Sequence, residues 1–168
     1  NIVGSSNTFG RSVSLSSDGT ILAIGDSYSY SYAGSLRVYQ YSNSSWTQLG
    51  DDIVGENAGD LAGISCSLSN DGTIVAVGEY YNDDNGDPRA GQVRVFQYDA
   101  NKTTADVDQN SATFGPAGWN RLGDDLEGKK SDDRSGTSIS LNGDGTIIAI
   151  GAPYNDDNGN LSGHTRVF

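Results

Sequence analysis

The sequence predicts an all-β fold in which one four-stranded antiparallel unit repeats along the chain. A short segment in which apolar residues alternate with serines is followed by an Asp-Gly pair and then by a continuous apolar run that ends in Gly. This pattern occurs three times, at 13–26, 66–79 and 139–153. Gly takes the positive φ that a tight hairpin turn needs, so each copy predicts a β-hairpin. The chain also has 23 glycines and only short aliphatic runs. Repetition at a spacing of about 50 to 70 residues indicates an array of one supersecondary unit.

The first strand of each unit is predicted at 11–16, 64–69 and 137–142, where apolar residues alternate with serines. We expect the leucines on the apolar face, Leu15, Leu68 and Leu141, to be buried. The serine face is small, which suits a strand crowded against its neighbours. Cys66 aligns with Val13 and Ile139, so we expect a core residue that acts as a small hydrophobe rather than as a reactive thiol.

The other three strands follow in order in each unit. The second strand, at 21–25, 74–78 and 147–151, is apolar at nearly every position, so both of its faces should be covered, with Ile24, Val77 and Ile150 buried. In the third strand, at 35–41, 92–98 and 165–168, apolar residues alternate with Arg37, Arg94 and Arg166. The fourth strand, Trp46–Leu49 and Trp119–Leu122, is the shortest and most polar, as an outer edge should be.

Four such strands make one blade of a β-propeller. The predicted blades are 1–49, 50–122 with an insertion at 99–118, and an incomplete third blade at 123–168, all in one propeller domain. Three blades are fewer than the roughly 4 to 8 of a closed propeller. An open strand at 165–168 would also template further pairing. We therefore expect a longer polypeptide, or assembly with further blades or neighbouring subunits.

Composition narrows the classes of function. The formal charge is −12, and an acidic protein repels phosphates, so nucleic acid is not expected as a partner. No apolar run approaches the roughly 18 to 20 residues of a membrane span. The single cysteine excludes an internal disulfide.

Phe9-Gly10 and Gly151-Ala-Pro153, with the spacing of the units, resemble the FG-GAP repeat. That family builds the seven-bladed propeller of integrin α subunits and occurs in many extracellular and cell-surface proteins, so the resemblance implies such a location here. Integrin-type repeats often carry a calcium loop between strands one and two. Here that connection is only 17–19, 70–72 and 143–145, too short for the six or more oxygens that calcium takes.

The loop between strands two and three is a better calcium candidate. Alternate side chains around a Gly-centred bend offer oxygens that can converge on a hard cation, and those residues are Asp83, Asn85 and Asp87 in the second blade and Asp156, Asn158 and Asn160 in the third. Asx residues are equally ordinary turn formers. Neither loop has a bidentate Glu downstream, which favours turns. We therefore expect no cofactor, with calcium as the alternative.

The first blade replaces this loop with a Ser-Tyr run containing Tyr28, Tyr30 and Tyr32. Exposed tyrosines offer a recognition surface with a large contact area at low entropic cost. The alternative is that they pack on a neighbouring blade. Three Asn-x-Ser/Thr sequons, at Asn43, Asn101 and Asn160, are N-glycosylation candidates if the protein is secreted.

No residue is expected to be catalytic. The carboxylate pairs Asp51-Asp52 and Asp124-Asp125 recur at the same blade corner, which indicates a structural turn, and nothing pairs them with a nucleophile or base. His164, the only histidine, is predicted at a polar surface position. The favoured function is a structural or adhesive module whose loops bind protein chains or glycans. The alternative is a calcium-dependent carbohydrate-binding propeller, and a hydrolase or lyase is least favoured.

Overall fold

A computed structural model describes residues 1–4, 6–83 and 86–168 and forms three antiparallel β-sheets. The sheets are β1–β4, β5–β8 and β9–β11, each with its strands in chain order, and we call them the first, second and third blades. The strands are β1 (Phe9–Leu15), β2 (Ile21–Asp26), β3 (Ser35–Ser42), β4 (Ser45–Val54), β5 (Ser65–Leu68), β6 (Ile74–Glu79), β7 (Gln92–Tyr98), β8 (Trp119–Arg121), β9 (Ser138–Leu141), β10 (Ile148–Ala152) and β11 (His164–Val167). A helical turn, α1 (Ser29–Tyr32), connects β2 to β3. The predicted β-propeller architecture of four-stranded antiparallel blades is confirmed.

The Asp-Gly pairs form the predicted tight turns between strands one and two. In the first blade, Gly19 has a φ of 72°, and its amide donates to the Ser16 carbonyl. The Asp18 carboxylate accepts hydrogen bonds from the Thr20 amide at 2.9 Å and the Ser16 hydroxyl at 2.7 Å. Those bonds hold the pKa of Asp18 below its usual value. The pairs Asp71-Gly72 and Asp144-Gly145 repeat the turn, with glycine φ values of 72° and 74°.

In the first and second blades, the serine face of the first strand is hydrogen-bonded to the next blade. The Ser12 hydroxyl donates to the Gly63 carbonyl at 2.9 Å, and the Leu68 amide donates to the Ser14 hydroxyl at 3.0 Å. The second and third blades repeat both contacts: the Ser65 hydroxyl donates to Gly136 at 2.6 Å, and the Leu141 amide donates to Ser67 at 3.0 Å. The small side chains expected on this face therefore lie between blades.

Glycine in the second strand permits that close approach. A Cβ atom at Gly25 would lie 2.0 Å from the Gly63 carbonyl oxygen, and one at Gly78 would lie 2.3 Å from that of Gly136. Both distances are far inside van der Waals contact. The recurring Gly at the end of the second strand is therefore a packing requirement as well as a strand end.

In the second and third blades, the apolar face of the first strand packs onto the preceding blade. Leu68 is buried in a cluster with Ile21 and Leu36 of the first blade, and Leu141 packs against Ala76 and Val93 of the second. The predicted burial of Leu68, Ile24, Val77 and Ile150 is confirmed, whereas Leu141, also predicted to be buried, is only half-buried.

The prediction for Leu15 is wrong, because its side chain is 57% exposed. Leu15 occupies the same strand position as Leu68, but no described residue supplies a blade on its apolar side. Burial at this position depends on a preceding blade and not on the strand itself.

The predicted core position of Cys66 is confirmed: it is partly buried and packs against the first core cluster. Burial raises the pKa of its thiol to about 11, with a smaller opposing effect from the Ser12 hydroxyl. The thiolate that nucleophilic chemistry needs is therefore scarce at neutral pH.

The fourth strand has its predicted short length in the second blade, where β8 is the shortest described strand, but not in the first. β4 runs over ten residues, with a bulge opposite the Leu36–Val38 stretch of β3, and is the longest described strand rather than the shortest. In β8, Trp119 is fully buried against Tyr98, and its indole N–H donates to the Leu49 carbonyl of the first blade at 3.1 Å. The outer strand of the second blade therefore contributes a buried aromatic side chain, Trp119, to the contact with the first blade.

The 99–118 insertion is tied back to its own blade. Its two arms meet through backbone hydrogen bonds between Asp106 and Gly115. The Lys102 ammonium donates to the carbonyls of Thr113 and Trp119, so the base of the loop is closed. This arrangement leaves Asn101 exposed.

Candidate recognition surface

A tyrosine begins the loop after the second strand in all three blades. Each stands three residues after the strand glycine, in Gly25-x-x-Tyr28, Gly78-x-x-Tyr81 and Gly151-x-x-Tyr154. Equivalent loops of adjacent blades lie at the same end of the array, so the three rings share one end. The sequence analysis missed this alignment, although the spacing from the glycine could have revealed it.

The rings of the second and third blades form a stack around a cation. The Arg134 guanidinium lies 5.3 Å from the Tyr81 ring centroid and 4.1 Å from that of Tyr154. Tyr80 packs edge-on against Tyr81 with centroids 4.5 Å apart. A guanidinium within about 6 Å of a ring face is attracted by its quadrupole. Arg134 therefore joins two blades through their tyrosines.

The first blade extends the row. Tyr28 and Tyr32 have ring centroids 5.3 Å apart and are 52% and 58% exposed. Burial raises the pKa of Tyr80; the neighbouring Tyr81 and Tyr28 phenols add to the effect, and Arg134 opposes it. The row, which we call the tyrosine surface, therefore runs across three blades and consists of Tyr28, Tyr32, Tyr80, Tyr81, Arg134 and Tyr154.

The α1 turn holds the first-blade tyrosines in unusual backbone conformations. Tyr30, Ser31 and Tyr32 have φ values of 51°, 58° and 70°. Left-handed φ at a residue with a side chain costs roughly 1–3 kcal/mol and persists where surrounding contacts impose it. Here the Ser29 hydroxyl donates to the Asp26 carbonyl at 2.8 Å, and the Tyr28 amide donates to Thr8 at 2.9 Å.

Tyr30 makes a different contact from the other two predicted tyrosines. Its hydroxyl donates to Asp52 at 2.8 Å, and that carboxylate also accepts from Arg37 and Gln48, both at 2.8 Å. Burial of Asp52 opposes its ionisation, but the three donors outweigh it and lower its pKa. Asp52 thus braces the α1 turn against β3 and β4, in line with the structural interpretation of the Asp51-Asp52 pair.

The other carboxylate pair also joins a structural contact. Asp125 lies 2.7 Å from the Arg121 guanidinium, while Asp124 is exposed. Burial raises the pKa of Asp125 to about 6, and Arg121 opposes the shift. Asp125 therefore has an ion-pair partner within its own blade.

The second blade contains a buried ion pair between Arg94 and Glu79. Arg94 donates to the Glu79 carboxylate through Nε at 2.7 Å and again through Nη2, and it donates to the Val54 carbonyl at 2.7 Å. Gln92 donates to Glu79 at 2.8 Å. Burial raises the pKa of Glu79 to about 7, and Arg94 opposes the shift. The sequence analysis placed Arg94 on a strand face but did not predict this partner.

Two of the calcium candidates, Asp87 and Asp156, have hydrogen-bond or ion-pair contacts with neighbouring residues. The Gly159 amide donates to the Asp156 carbonyl at 3.1 Å, and Lys130 lies 3.7 Å from the Asp156 carboxylate. In the second blade, Asp87 accepts from Ser131 at 3.1 Å, while Asn85 lies outside the described residues. Within 1–4, 6–83 and 86–168, no three His, Cys, Asp or Glu side chains gather as a metal site would require. Asn158 and Asn160 are exposed.

We expect the thermal midpoint of this protein to be the same in millimolar calcium and in excess chelator. A ligand that binds only the folded state would raise the midpoint by mass action. In the third-blade loop, the Asp156 carbonyl already accepts a turn hydrogen bond, and the Asp156 carboxylate lies near Lys130. Differential scanning fluorimetry measures the shift. An upward shift in calcium that disappears in the double variant Asp83→Ala/Asp156→Ala would contradict the turn interpretation.

The remaining candidate residues, His164 and the three sequon asparagines, are not part of the tyrosine surface. His164 is half-buried, and its Nδ1 lies 4.0 Å from Asp157. Asn43, Asn101 and Asn160 are all exposed, so a glycan would meet no buried surroundings there. Their occupancy stays a prediction.

The fold and the tyrosine surface together define a β-propeller array with an aromatic end. Residues 127–168 match the model of the FG-GAP repeat. Among solved structures, the chain is similar to TolB from Acinetobacter baumannii at 15% identity with a TM-score of 0.45, over 92% of this chain and 28% of that one. A search of curated proteins finds no match.

Proposed function

We propose that this chain is a structural and adhesive propeller module of an extracellular or cell-surface protein, and that its loops bind protein or glycan partners. The observation that carries the proposal is the tyrosine surface, where rings from three adjacent loops and one guanidinium share one end. Tyrosine supplies contact area with few rotatable bonds, and aromatic residues and arginine are enriched among binding hot spots. Rigid strands position the loops, as recognition requires.

The candidate nucleophile and the candidate acid-base groups favour a binding function over a catalytic one. The thiol of Cys66 is covered and has a pKa of about 11, and the Asp52 and Asp125 carboxylates are occupied by arginine partners. The formal charge of −12 disfavours nucleic acid as a partner. Across the described residues, no helix is long and apolar enough to cross a membrane. The match of 127–168 to the FG-GAP repeat supports an extracellular setting.

The proposal is tested with two probes, a panel of immobilised neutral and acidic oligosaccharides and a phage-displayed peptide library. We expect a binder from one of them, and at least a tenfold loss of its affinity in the double variant Tyr28→Ala/Tyr154→Ala, because truncation of hot-spot aromatics costs about 2 kcal/mol or more. Surface plasmon resonance measures the affinity.

Tyr41 provides the matched control. It is 45% exposed but lies at the opposite end of β3 from the α1 turn. Tyr41→Ala should bind as the unmodified chain does. No binder from either probe, or equal losses in the Tyr41 variant and the double variant, would contradict the proposal.

A further inference from the structure

We propose that a cavity between the 99–118 insertion and the chain segments that enter and leave the second blade binds a neutral saccharide. This insertion cavity has a volume of about 610 Å³, and its lining includes Glu56, Gln109, Phe114, Arg121, Asp125 and Glu127. Sites for small ligands commonly measure about 300–1,000 Å³. The inference is independent of the tyrosine surface, because the two sites share no residue.

The insertion supplies one wall of the cavity. In the first blade only residues 43–44 join the third strand to the fourth, whereas the second blade has the whole of 99–118 at that place. A long loop inside a compact domain usually has a function when it is ordered. Here the Arg121 amide donates to the Phe114 carbonyl at 2.7 Å, which fixes the returning arm of the insertion along β8. The cavity lies beside two blades that each have four strands.

Glu56 is held in the cavity wall by buried residues of the second blade. The Gln92 amide donates to its carboxylate at 3.4 Å, and Arg94 Nη1 lies 3.8 Å from it. Both Gln92 and Arg94 are buried, while the Glu56 side chain keeps 24% exposure. The carboxylate is therefore positioned before any ligand arrives, which lowers the entropic cost of binding.

The spacing between Glu56 and Arg121 suits a hydroxyl group. Arg121 Nη1 lies 4.0 Å from Glu56 Oε1, too far for a direct hydrogen bond but within the span that one bridging oxygen can cover. A hydroxyl can accept from the guanidinium and donate to the carboxylate at the same time. An ammonium group cannot accept, and a carboxylate cannot donate, so neither ion can make this bridge.

The neighbouring ion pair also has unused hydrogen-bonding capacity. Arg121 Nη2 lies 2.7 Å from Asp125 Oδ2, yet Arg121 Nε and Asp125 Oδ1 are buried without a hydrogen-bond partner among the described residues. Buried polar atoms are nearly always paired. An unused donor beside an unused acceptor favours a ligand that offers both kinds of group.

The rest of the lining fits a sugar ring better than an ion. Phe114 is half-buried, and the Arg121 guanidinium lies 5.5 Å from its ring centroid, so the ring is held in place and offers an apolar surface to the C–H groups of a sugar. The exposed amide of Gln109 adds a donor and an acceptor. An anion would meet the carboxylates of the lining, and a cation would compete with Arg121 for them.

The test uses saturation-transfer difference NMR on the unmodified chain with five separate probes: glucose, galactose, mannose, N-acetylglucosamine and fucose, each as the methyl glycoside. We expect at least one probe to receive saturation, with a dissociation constant in the millimolar range common for single small ligands. The affinity should be the same in excess chelator, because no step needs a metal. Absence of transfer to all five probes, or loss of binding in chelator, would overturn the proposal.

Variants then locate the binding site. The double variant Glu56→Gln/Phe114→Leu keeps the side-chain sizes but removes the charged acceptor and the ring, so it should weaken binding about tenfold or more. Gln109→Ala, at an exposed position, should weaken it severalfold without affecting the melt. The matched control is Val107→Ala, which lies on the same insertion, is 87% exposed and is not part of the lining. Unchanged affinity in the first two variants, or an equal loss in the control, would contradict this location.

Two further measurements separate this inference from its rivals. Saccharide binding should survive in Tyr28→Ala/Tyr154→Ala; its loss there, with full binding in the cavity variants, would overturn the inference while supporting the proposed role of the tyrosine surface. Methyl glucuronate and lysine amide serve as charged probes. Tighter binding of either one than of the neutral sugars, abolished by Glu56→Gln/Phe114→Leu, would show that the ligand class is wrong.

Discussion

Replacing Arg94 by methionine is expected to lower the free energy of unfolding by about 3–5 kcal/mol at pH 8, the usual loss when one member of a buried ion pair is removed. The Glu79 carboxyl is fully buried, and Arg94 satisfies it through two nitrogens. Methionine would fill much of the volume but would leave a carboxylate in the interior with Gln92 as its remaining close donor. Urea denaturation at fixed pH measures the change.

The loss should shrink at low pH. The pKa of Glu79 in the folded chain is already raised by burial to about 7, above the usual 4.5, and removal of Arg94 raises it further. With the pKa of Glu79 raised, the folded state binds more protons than the unfolded state. The contribution of protonated Glu79 to the free energy of unfolding is therefore full below pH 4.5 and is lost as the pH rises through the pKa of Glu79 in the folded chain. The variant should therefore be closest to the unmodified chain near pH 4.5.

Arg37 is the matched control, because it occupies the same strand position in the first blade. Its partner Asp52 and its own side chain retain 15% and 18% exposure, against 0% and 6% for the second-blade pair. Arg37→Met should therefore cost less, about 1 kcal/mol, as for pairs that water can still reach. Equal losses in the two variants, or a loss at Arg94 that is the same at every pH, would show that buried charge is not the cause.

Truncating Trp119 to alanine is expected to cost about 3–5 kcal/mol, as for other buried aromatic residues. The side chain is fully buried, packs on Tyr98 and donates to the Leu49 carbonyl of the neighbouring blade. The variant loses apolar burial and leaves a cavity between two blades. A thermal or urea melt reports the loss.

Trp46 provides the comparison, because it occupies the aligned position on the first blade. It is half-buried and packs on Tyr41, beside an open cavity of about 610 Å³ that is also lined by Ile2. Trp46→Ala should cost clearly less than Trp119→Ala in the monomeric chain. A similar cost for both tryptophans would mean that the interblade position adds nothing to the stability of Trp119.

Short sequence patterns predicted the turns and strands whose conformation depends on a few adjacent residues. The Asp-Gly turns depend on glycine φ and on a carboxylate two residues from its donor, so they can be read from a few adjacent residues. The interblade role of the serines was also predictable, because small side chains on a strand imply a close neighbour. The exposure of Leu15 was not predicted, because this strand position is buried only where a preceding blade packs on it, as at Leu68, and periodicity does not report that contact.

The candidate surface was predicted only in part. Exposure of Tyr28 and Tyr32 was one of two interpretations of the Ser-Tyr run, and these rings are 52% and 58% exposed. Arg134 could not be placed by pattern, because its contacts with Tyr81 and Tyr154 join residues distant in sequence. The pairing of Glu79 with Arg94 crosses neighbouring strands and depends on register.

The serine-to-glycine bonds between blades have a consequence for how such a chain can change over generations. Adjacent blades are joined by the same few side chains each time, and none of these contacts depends on which blade in the row provides them. A tandem duplication of one blade's coding segment would thus preserve the serine-to-glycine bonds on both sides of the new blade, whereas blade-specific contacts such as that of Trp119 with Leu49 would have to be rebuilt. Blade number can therefore vary by whole units, while loops such as 99–118 diversify independently at the rim.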